Sequence, residues 1–358
     1  MNSLLAAFVA FLATIILIVL LRPAAMYIGL IDKPNARKQH VGSIPLVGGI
    51  AIFLSFCLTV ALGQWLPGMA GPLSSKLVVF IAASGVLVVA GVWDDLRGLT
   101  PLTRFLIQIC AALIMVYEGG LVIVELGAHS PVNDHVILEK WSVPFTVFAT
   151  VGLINAINMS DGIDGLSGNL ALVSFVGFGA AQAMWGSVDA LEFVNVLTAA
   201  IAGFLVFNQR MLWRSRAAVF LGDAGSMMLG FALAWVAIEI SQGPAPALTP
   251  VATLWLLIVP VYDTMGMIVR RVLAGRSPFH ADAQHLHHLL IRSGFSVTGT
   301  IAALCAMAIF GVAVGLFITW WVIADWQALG VFIGGWIAYL CIIQWAWKQP
   351  RIVNYTGS

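Results

Sequence analysis

Eleven times along this chain of 358 residues the sequence runs for close to 20 positions with almost no charge. A helix needs about 20 apolar residues to cross the hydrocarbon core of a bilayer. Measured with that ruler, spans fall near 3–21, 46–64, 77–93, 104–125, 141–157, 168–185, 190–207, 219–241, 249–269, 299–321 and 328–347. Composition excludes the water-soluble alternative. Hydrophobic residues make up 61% of the chain and charged residues 9%, against about 45–50% and 25% in soluble domains. The expectation is an all-α, polytopic integral membrane bundle with residues 1–358 forming one transmembrane domain. The first run lacks a basic leader and a small-residue cleavage site, so it reads as a span rather than a removed signal. Cys57, Cys110, Cys305 and Cys341 fall inside apolar runs and are expected to be small buried hydrophobes, not disulfides or metal ligands.

An odd number of spans puts the two termini on opposite sides. Fifteen of the 17 basic residues then share one side, leaving only Lys76 and Lys140 on the other. The positive-inside rule makes the crowded side cytoplasmic, with the N-terminus outside and the C-terminus inside. Segments near 22–45, 94–104, 155–168, 208–226 and 270–298 all face that side, and they hold nearly all the reactive groups.

The richest of them is Asn155-Ala-Ile-Asn158-Met-Ser-Asp161-Gly-Ile-Asp164-Gly-Leu-Ser-Gly168, set between two spans. Charge at the bilayer centre is penalised by roughly 2.5–3.5 kcal/mol or more, so such a cluster belongs at an edge and has a task. Asp161 and Asp164 are three apart and share a face, and the glycines let backbone N–H groups approach an anion. The closing Glu of a calcium loop is missing. Trp93-Asp94-Asp95-Leu-Arg97, followed by Arg104, ends another run with two adjacent acids, which suits a metal, a shared proton or simple solvation. Phe220-Leu-Gly222-Asp223-Ala-Gly225-Ser226 places one carboxylate at the head of a span, either as a helix cap or as a ligand to Mg²⁺.

Two basic segments complete the set. Asp32-Lys33-Pro-Asn35-Ala-Arg37-Lys38 runs into Pro45-Leu-Val-Gly-Gly49, and a basic loop there sets topology, touches head groups or holds an anionic substrate. Arg276-Ser-Pro-Phe-His280-Ala-Asp282-Ala-Gln284-His285-Leu-His287-His288 offers histidines at a spacing unsuited to zinc and better suited to phosphate or protons. Carboxylates for a hard cation, basic groups for phosphate and glycine turns between them form the inventory of phosphoryl transfer. No Walker A motif is present. A transporter of an anionic solute is the alternative class. It is disfavoured because transporter sites sit near the midplane between repeated halves, and here no repeat is visible.

These motifs together resemble the polyprenyl-phosphate N-acetylhexosamine-1-phosphate transferases, glycosyltransferase family 4. The branch most similar is the bacterial undecaprenyl-phosphate N-acetylglucosaminyl 1-phosphate transferases of O-antigen, lipopolysaccharide and cell-wall polysaccharide initiation. The resemblance implies an eleven-span enzyme in the bacterial inner membrane with a cytoplasmic cleft. There undecaprenyl phosphate attacks UDP-GlcNAc, releasing UMP and leaving undecaprenyl-diphospho-GlcNAc. It also implies roles. Asp94, Asp95, Arg104, His285, His287 and His288 are catalytic; Asn155, Asp161, Asp164, Arg276, Lys33 and Arg37 contact substrate; Asn158 and Asp223 hold Mg²⁺, with Mn²⁺ as the alternative cofactor. Arg104 stands where many relatives carry Lys. His-Leu-His-His departs from the three-histidine run of the muramyl-pentapeptide enzymes and favours a simple aminosugar over UDP-MurNAc-pentapeptide; another UDP-N-acetylhexosamine is the nearer alternative. The lipid bilayer is a partner, nucleic acid is not, and a homodimer is the oligomer allowed for.

Overall fold

In the computed structural model, residues 2–32, 42–65, 73–128, 135–210, 214–243, 245–275, 277 and 284–349 are described. The helices are α1 (Asn2–Ile28), α2 (Gly48–Trp65), α3 (Ser75–Arg97), α4 (Pro101–Tyr117), α5 (Ser142–Ser160), α6 (Leu166–Trp185), α7 (Val188–Asn208), α8 (Gly222–Ser241), α9 (Pro250–Leu256), α10 (Ile258–Leu273), α11 (Leu286–Arg292), α12 (Val297–Trp320) and α13 (Asp325–Lys348). Two small antiparallel hairpins, β1 (Ile31–Asp32) with β2 (Ile44–Pro45) and β3 (Glu125–Ala128) with β4 (His135–Ile137), lie between helices.

Each of the eleven apolar runs contains helix. Among the described residues nine helices are long and apolar enough to cross a membrane, or ten if one bent pair counts as a span. Two runs depart from the simple expectation. The run at 104–125 yields α4, whose 17 residues stop before Gly119-Gly120; at 1.5 Å per residue it reaches only about 25 Å. The run at 249–269 is not one helix: α9 and α10 meet at 89°. Pro260 explains the break, because its ring has no N–H and collides with the carbonyl four residues back. That carbonyl belongs to Leu256, the last residue of α9.

The bundle is organised around α8, which is almost wholly enclosed, whereas α1 and α13 leave most of their surface outside. Between helices in lipid the hydrophobic effect gives little drive, so small residues that admit close packing matter more. A methyl group on Gly49 of α2 would overlap Gly225 of α8, one on Gly91 of α3 would overlap Ala224, and one on Gly230 would overlap Ile154 of α5. Three helices therefore touch α8 almost backbone to backbone. Lys76 meets Glu239 at 3.4 Å, tying the start of α3 to the end of α8, so the end of α3 lies beside the start of α8. No disulfide forms, and Cys110 and Cys341 are exposed rather than buried as expected; each sits on a helix flank that faces outward.

Candidate active site

The start of α8 is clamped before it begins. Phe220 donates its N–H to the Pro45 carbonyl (2.9 Å), and the Phe220 and Leu221 carbonyls accept from Gly48 and Gly49 at 3.0 Å each. The Pro45-to-Gly49 motif thus serves as a backbone cradle for the Gly222-Asp223 turn. Gly222 has φ +74°, and a side chain on it would also press on Asp95 Oδ2. Glycine is required there on both counts. Asp95 Oδ1 then accepts the Asp223 N–H at 3.1 Å, capping the helix from a neighbour. The two adjacent acids therefore have different employment.

Asp94 faces the other way. Its Oδ1 accepts the Leu99 N–H at 2.8 Å, and its Oδ2 lies 2.6 Å from an Arg104 terminal nitrogen as an ion pair without hydrogen-bond alignment. Arg104 also stands 3.6 Å from Asp223 Oδ2. Asn158, in the last turn of α5, gives both amide hydrogens away, to Asp223 Oδ1 at 2.7 Å and to Ser226 Oγ at 2.8 Å. Its carbonyl oxygen is the acceptor left over. One guanidinium thus bridges two carboxylates while a carboxamide positions the second of them.

These oxygens suit a hard cation as a partial shell. Among the described residues Asp95 Oδ2 is buried with no partner, and an orphaned carboxylate oxygen of that kind calls for a cation, water or proton. Among the described residues no group of three or more His, Cys, Asp or Glu side chains could hold a metal unaided. Mg²⁺ asks for less, since it usually takes one or two protein carboxylates and completes its octahedron with water and substrate phosphates. Asp223 and the Asn158 carbonyl fit that requirement.

Across the rim, the turn between α5 and α6 is already satisfied by the protein. Asp161 Oδ1 accepts from Ser167 at 2.6 Å, ordering the turn from within. Asp164 Oδ2 accepts from Arg210 Nε at 2.9 Å and from the Ala217 N–H at 3.2 Å. The turn is thereby latched to the connection between α7 and α8. His285, His287 and His288 gather beside it, with His285 and His287 stacked 7° from parallel at 5.8 Å and His287 and His288 at 4.1 Å. A Cβ on Gly162 would fall 2.5 Å from His287 Nε2, which is buried without a partner among the described residues. Burial, reinforced by His288, pushes the His287 pKa down to about 3. That ring stays neutral at any physiological pH.

The structure thus brings Asp94, Asp95, Arg104, Asn158 and Asp223 into one cluster and sets Asp161, Asp164 and the histidines at its flank. Asn155 is drawn elsewhere: its amide donates to Gln108 Oε1 at 2.7 Å and to the Val151 carbonyl at 2.8 Å. Both hydrogens are spent inside the bundle, one turn from the cluster. Lys33, Arg37 and Arg276 lie outside the described residues. Sequence reasoning missed Ser226 and gave Arg210 only a topological role. Ser226 lies three residues beyond Asp223, on the same helix face; that spacing was the available signal.

A polytopic helical bundle whose rim gathers carboxylates, a guanidinium and a carboxamide defines a membrane-embedded enzyme for anionic substrates. The chain belongs to Glycosyl transferase family 4, whose family model matches residues 77–241, the stretch from α3 to the end of α8 that carries the whole acid cluster. It is similar along almost its entire length to proteins named undecaprenyl-phosphate alpha-N-acetylglucosaminyl 1-phosphate transferase. The one from Yersinia pestis is 35% identical over 350 residues, covering 96% of this chain and 92% of the relative. That from Escherichia coli K12 is 33% identical over 345 residues, with 96% and 92% covered. That from Haemophilus influenzae is 33% identical over 358 residues, with 97% and 96% covered.

Proposed function

We propose that this protein transfers GlcNAc 1-phosphate from UDP-GlcNAc to undecaprenyl phosphate, releasing UMP and forming undecaprenyl-diphospho-GlcNAc. The observation that carries the reading is the acid cluster itself, with Arg104 between Asp94 and Asp223 and an oxygen on Asp95 that is unpartnered among the described residues. In the reaction an oxygen of the lipid phosphate attacks the sugar-linked phosphorus. The bond from that phosphorus to the bridging oxygen breaks, and UMP leaves with the bridging oxygen.

Each group then has a task. Arg104 neutralises phosphate charge and, with Asp94, sets where the lipid phosphate lies. A phosphate monoester is already largely ionised at cytoplasmic pH, its second pKa being about 6, so Asp94 positions rather than deprotonates. Asp95 holds the start of α8 and keeps Asp223 in place. Asp223 and Asn158 would hold Mg²⁺, which when bound draws off charge from the diphosphate. Asp164 keeps one carboxylate oxygen for the uridine while the other stays on Arg210, and Asp161 orders the turn. Neutral His287 and its neighbours contact the diphosphate or sugar. Lys33, Arg37 and Arg276 keep the substrate contacts that the sequence resemblance implies for them.

The last turns of α3, α10 and α13 carry Arg97, Arg270, Arg271 and Lys348, and Arg210 follows α7 by two residues. Basic residues at these ends support a site on the cytoplasmic face of a bacterial inner membrane, and on this reading the chain acts as one catalytic domain at the first step of O-antigen or related polysaccharide synthesis. Purified protein given UDP-GlcNAc, undecaprenyl phosphate and Mg²⁺ is expected to release UMP and to yield the lipid product by mass analysis. Competition across UDP-N-acetylhexosamines is expected to show GlcNAc preferred. No UMP from any UDP-aminosugar would sink the reading.

A further inference from the structure

α10 carries a carboxylate that the site above leaves without a task. Asp263 is 6% exposed, and three elements converge on it. Its Oδ2 lies 2.8 Å from His285 Nδ1. Its Oδ1 accepts the Leu286 N–H at 3.0 Å and the hydroxyl of Tyr339, on α13, at 3.1 Å. His285 is the N-cap residue of α11 but makes no side-chain capping bond of its own. Asp263 supplies that cap from another helix by taking the first amide of α11. A buried carboxylate so fully engaged is a built device rather than a stray charge.

We infer that Asp263 is the positioning residue of the histidine motif, fixing both the orientation of the His285 ring and which of its nitrogens bears the proton. A carboxylate accepts and does not donate, so the His285 hydrogen sits on Nδ1. That leaves Nε2 as the nitrogen available to substrate, because the partner of one ring nitrogen sets the state of the other. The orientation is passed on by packing. His285 stacks parallel on His287, and His287 Nε2 abuts Gly162 in the turn that holds Asp161 and Asp164. Asp263 therefore acts on the reaction through His285, without touching substrate.

The inference rests on the proposed transfer reaction, and its test separates the two. Asp263→Asn keeps an oxygen for the Leu286 amide and Tyr339 but turns an N–H toward His285 Nδ1, moving the ring proton to Nε2. Expected is a fall in kcat of about 10- to 100-fold, the range of orienting groups behind a histidine, with KM for both substrates within about threefold and the melting temperature kept. His285→Asn falls by a similar factor, and the double variant falls no further, because residues acting as one unit are not additive. Wild-type kcat in Asp263→Asn, or losses that multiply in the double variant, would overturn the inference. ¹⁵N-histidine spectra of the wild-type protein, with His285 assigned by its loss in His285→Asn, need no Asp263 variant and no turnover. They show a proton on Nδ1 of His285, and an Nε2–H tautomer overturns the inference even if Asp263→Asn fails to fold. A wild-type protein without transfer activity removes the reaction assigned above, while the spectrum still decides the positioning.

Discussion

Asp223 and Asp164 are both carboxylates beside helix ends on the same rim, yet the protein treats them differently. Asp164 is answered in advance, by Arg210 and the Ala217 amide. Asp223 shares Arg104 with Asp94, and among the described residues one oxygen of the neighbouring Asp95 has no partner. The first arrangement is a finished scaffold, on which a ligand gains orientation. The second is incomplete among the described residues, and on the proposed reading an incoming cation and phosphate balance it. Low dielectric makes an unbalanced cluster expensive to keep, so its persistence marks the place where charge is handled. The histidine side is mixed: His285 is secured by Asp263, while His287 is kept neutral by burial.

The sharpest way to break this contrast is Asp223→Asn. The amide still accepts from Asn158, so the helix packing survives, but a carboxylate is lost from the cluster. UMP release is expected to fall by about 10²–10³-fold, the scale of losing one fixed electrostatic contact in a transition state, with the melting temperature unchanged. Gly162→Ala is expected to act next. Its methyl overlaps His287 Nε2, and a displacement of about 1 Å near the chemistry costs up to about 10²-fold. Steady-state kinetics should show about a tenfold fall in kcat/KM.

Arg210→Gln probes the finished half. Asp164 keeps the Ala217 amide and loses its ion pair, so binding weakens more than chemistry does. KM for the UDP-sugar should rise about fivefold with kcat little changed, the signature of lost uniform binding. The smallest effect is a slope. His287 has a pKa near 3 when folded against 6.5 when exposed. Between those values the unfolded chain binds more protons, so stability falls as pH drops from about 6.5 toward 3. Asp263, His285 and His288 face the same ring and remain in the variant. His287→Gln should therefore flatten the pH dependence of the melting temperature over that window without abolishing it.

Much of this was legible in the chain. The apolar runs announce the helices, because a bilayer leaves few other ways to satisfy a backbone. Asp94-Asp95, Asn158 and Asp223 stand out because charge is costly where they lie. The break at Leu257 was legible only in part, since Pro260 signals it but the run of apolar residues passes straight through. Asn155 and Asn158 look alike in sequence, and only packing shows that one turns toward Gln108 and the other toward Asp223. Asp263 and His285 are 22 residues apart, and no local pattern could pair them. Arg210 and Asp164 are 46 apart, and a basic residue at a span end already had a topological explanation. Contacts of this kind are fixed by how helices cross, which periodicity does not encode.

The contrast between the two halves predicts where a divalent cation binds, independent of turnover. Mn²⁺ titrated into the purified protein and followed by electron paramagnetic resonance should be taken up by the wild type and lost in Asp223→Asn. Uptake should be kept in Arg210→Gln and His285→Asn. Wild-type uptake in Asp223→Asn would contradict the account, as would loss of the cation on disturbing only the Asp164 and histidine side.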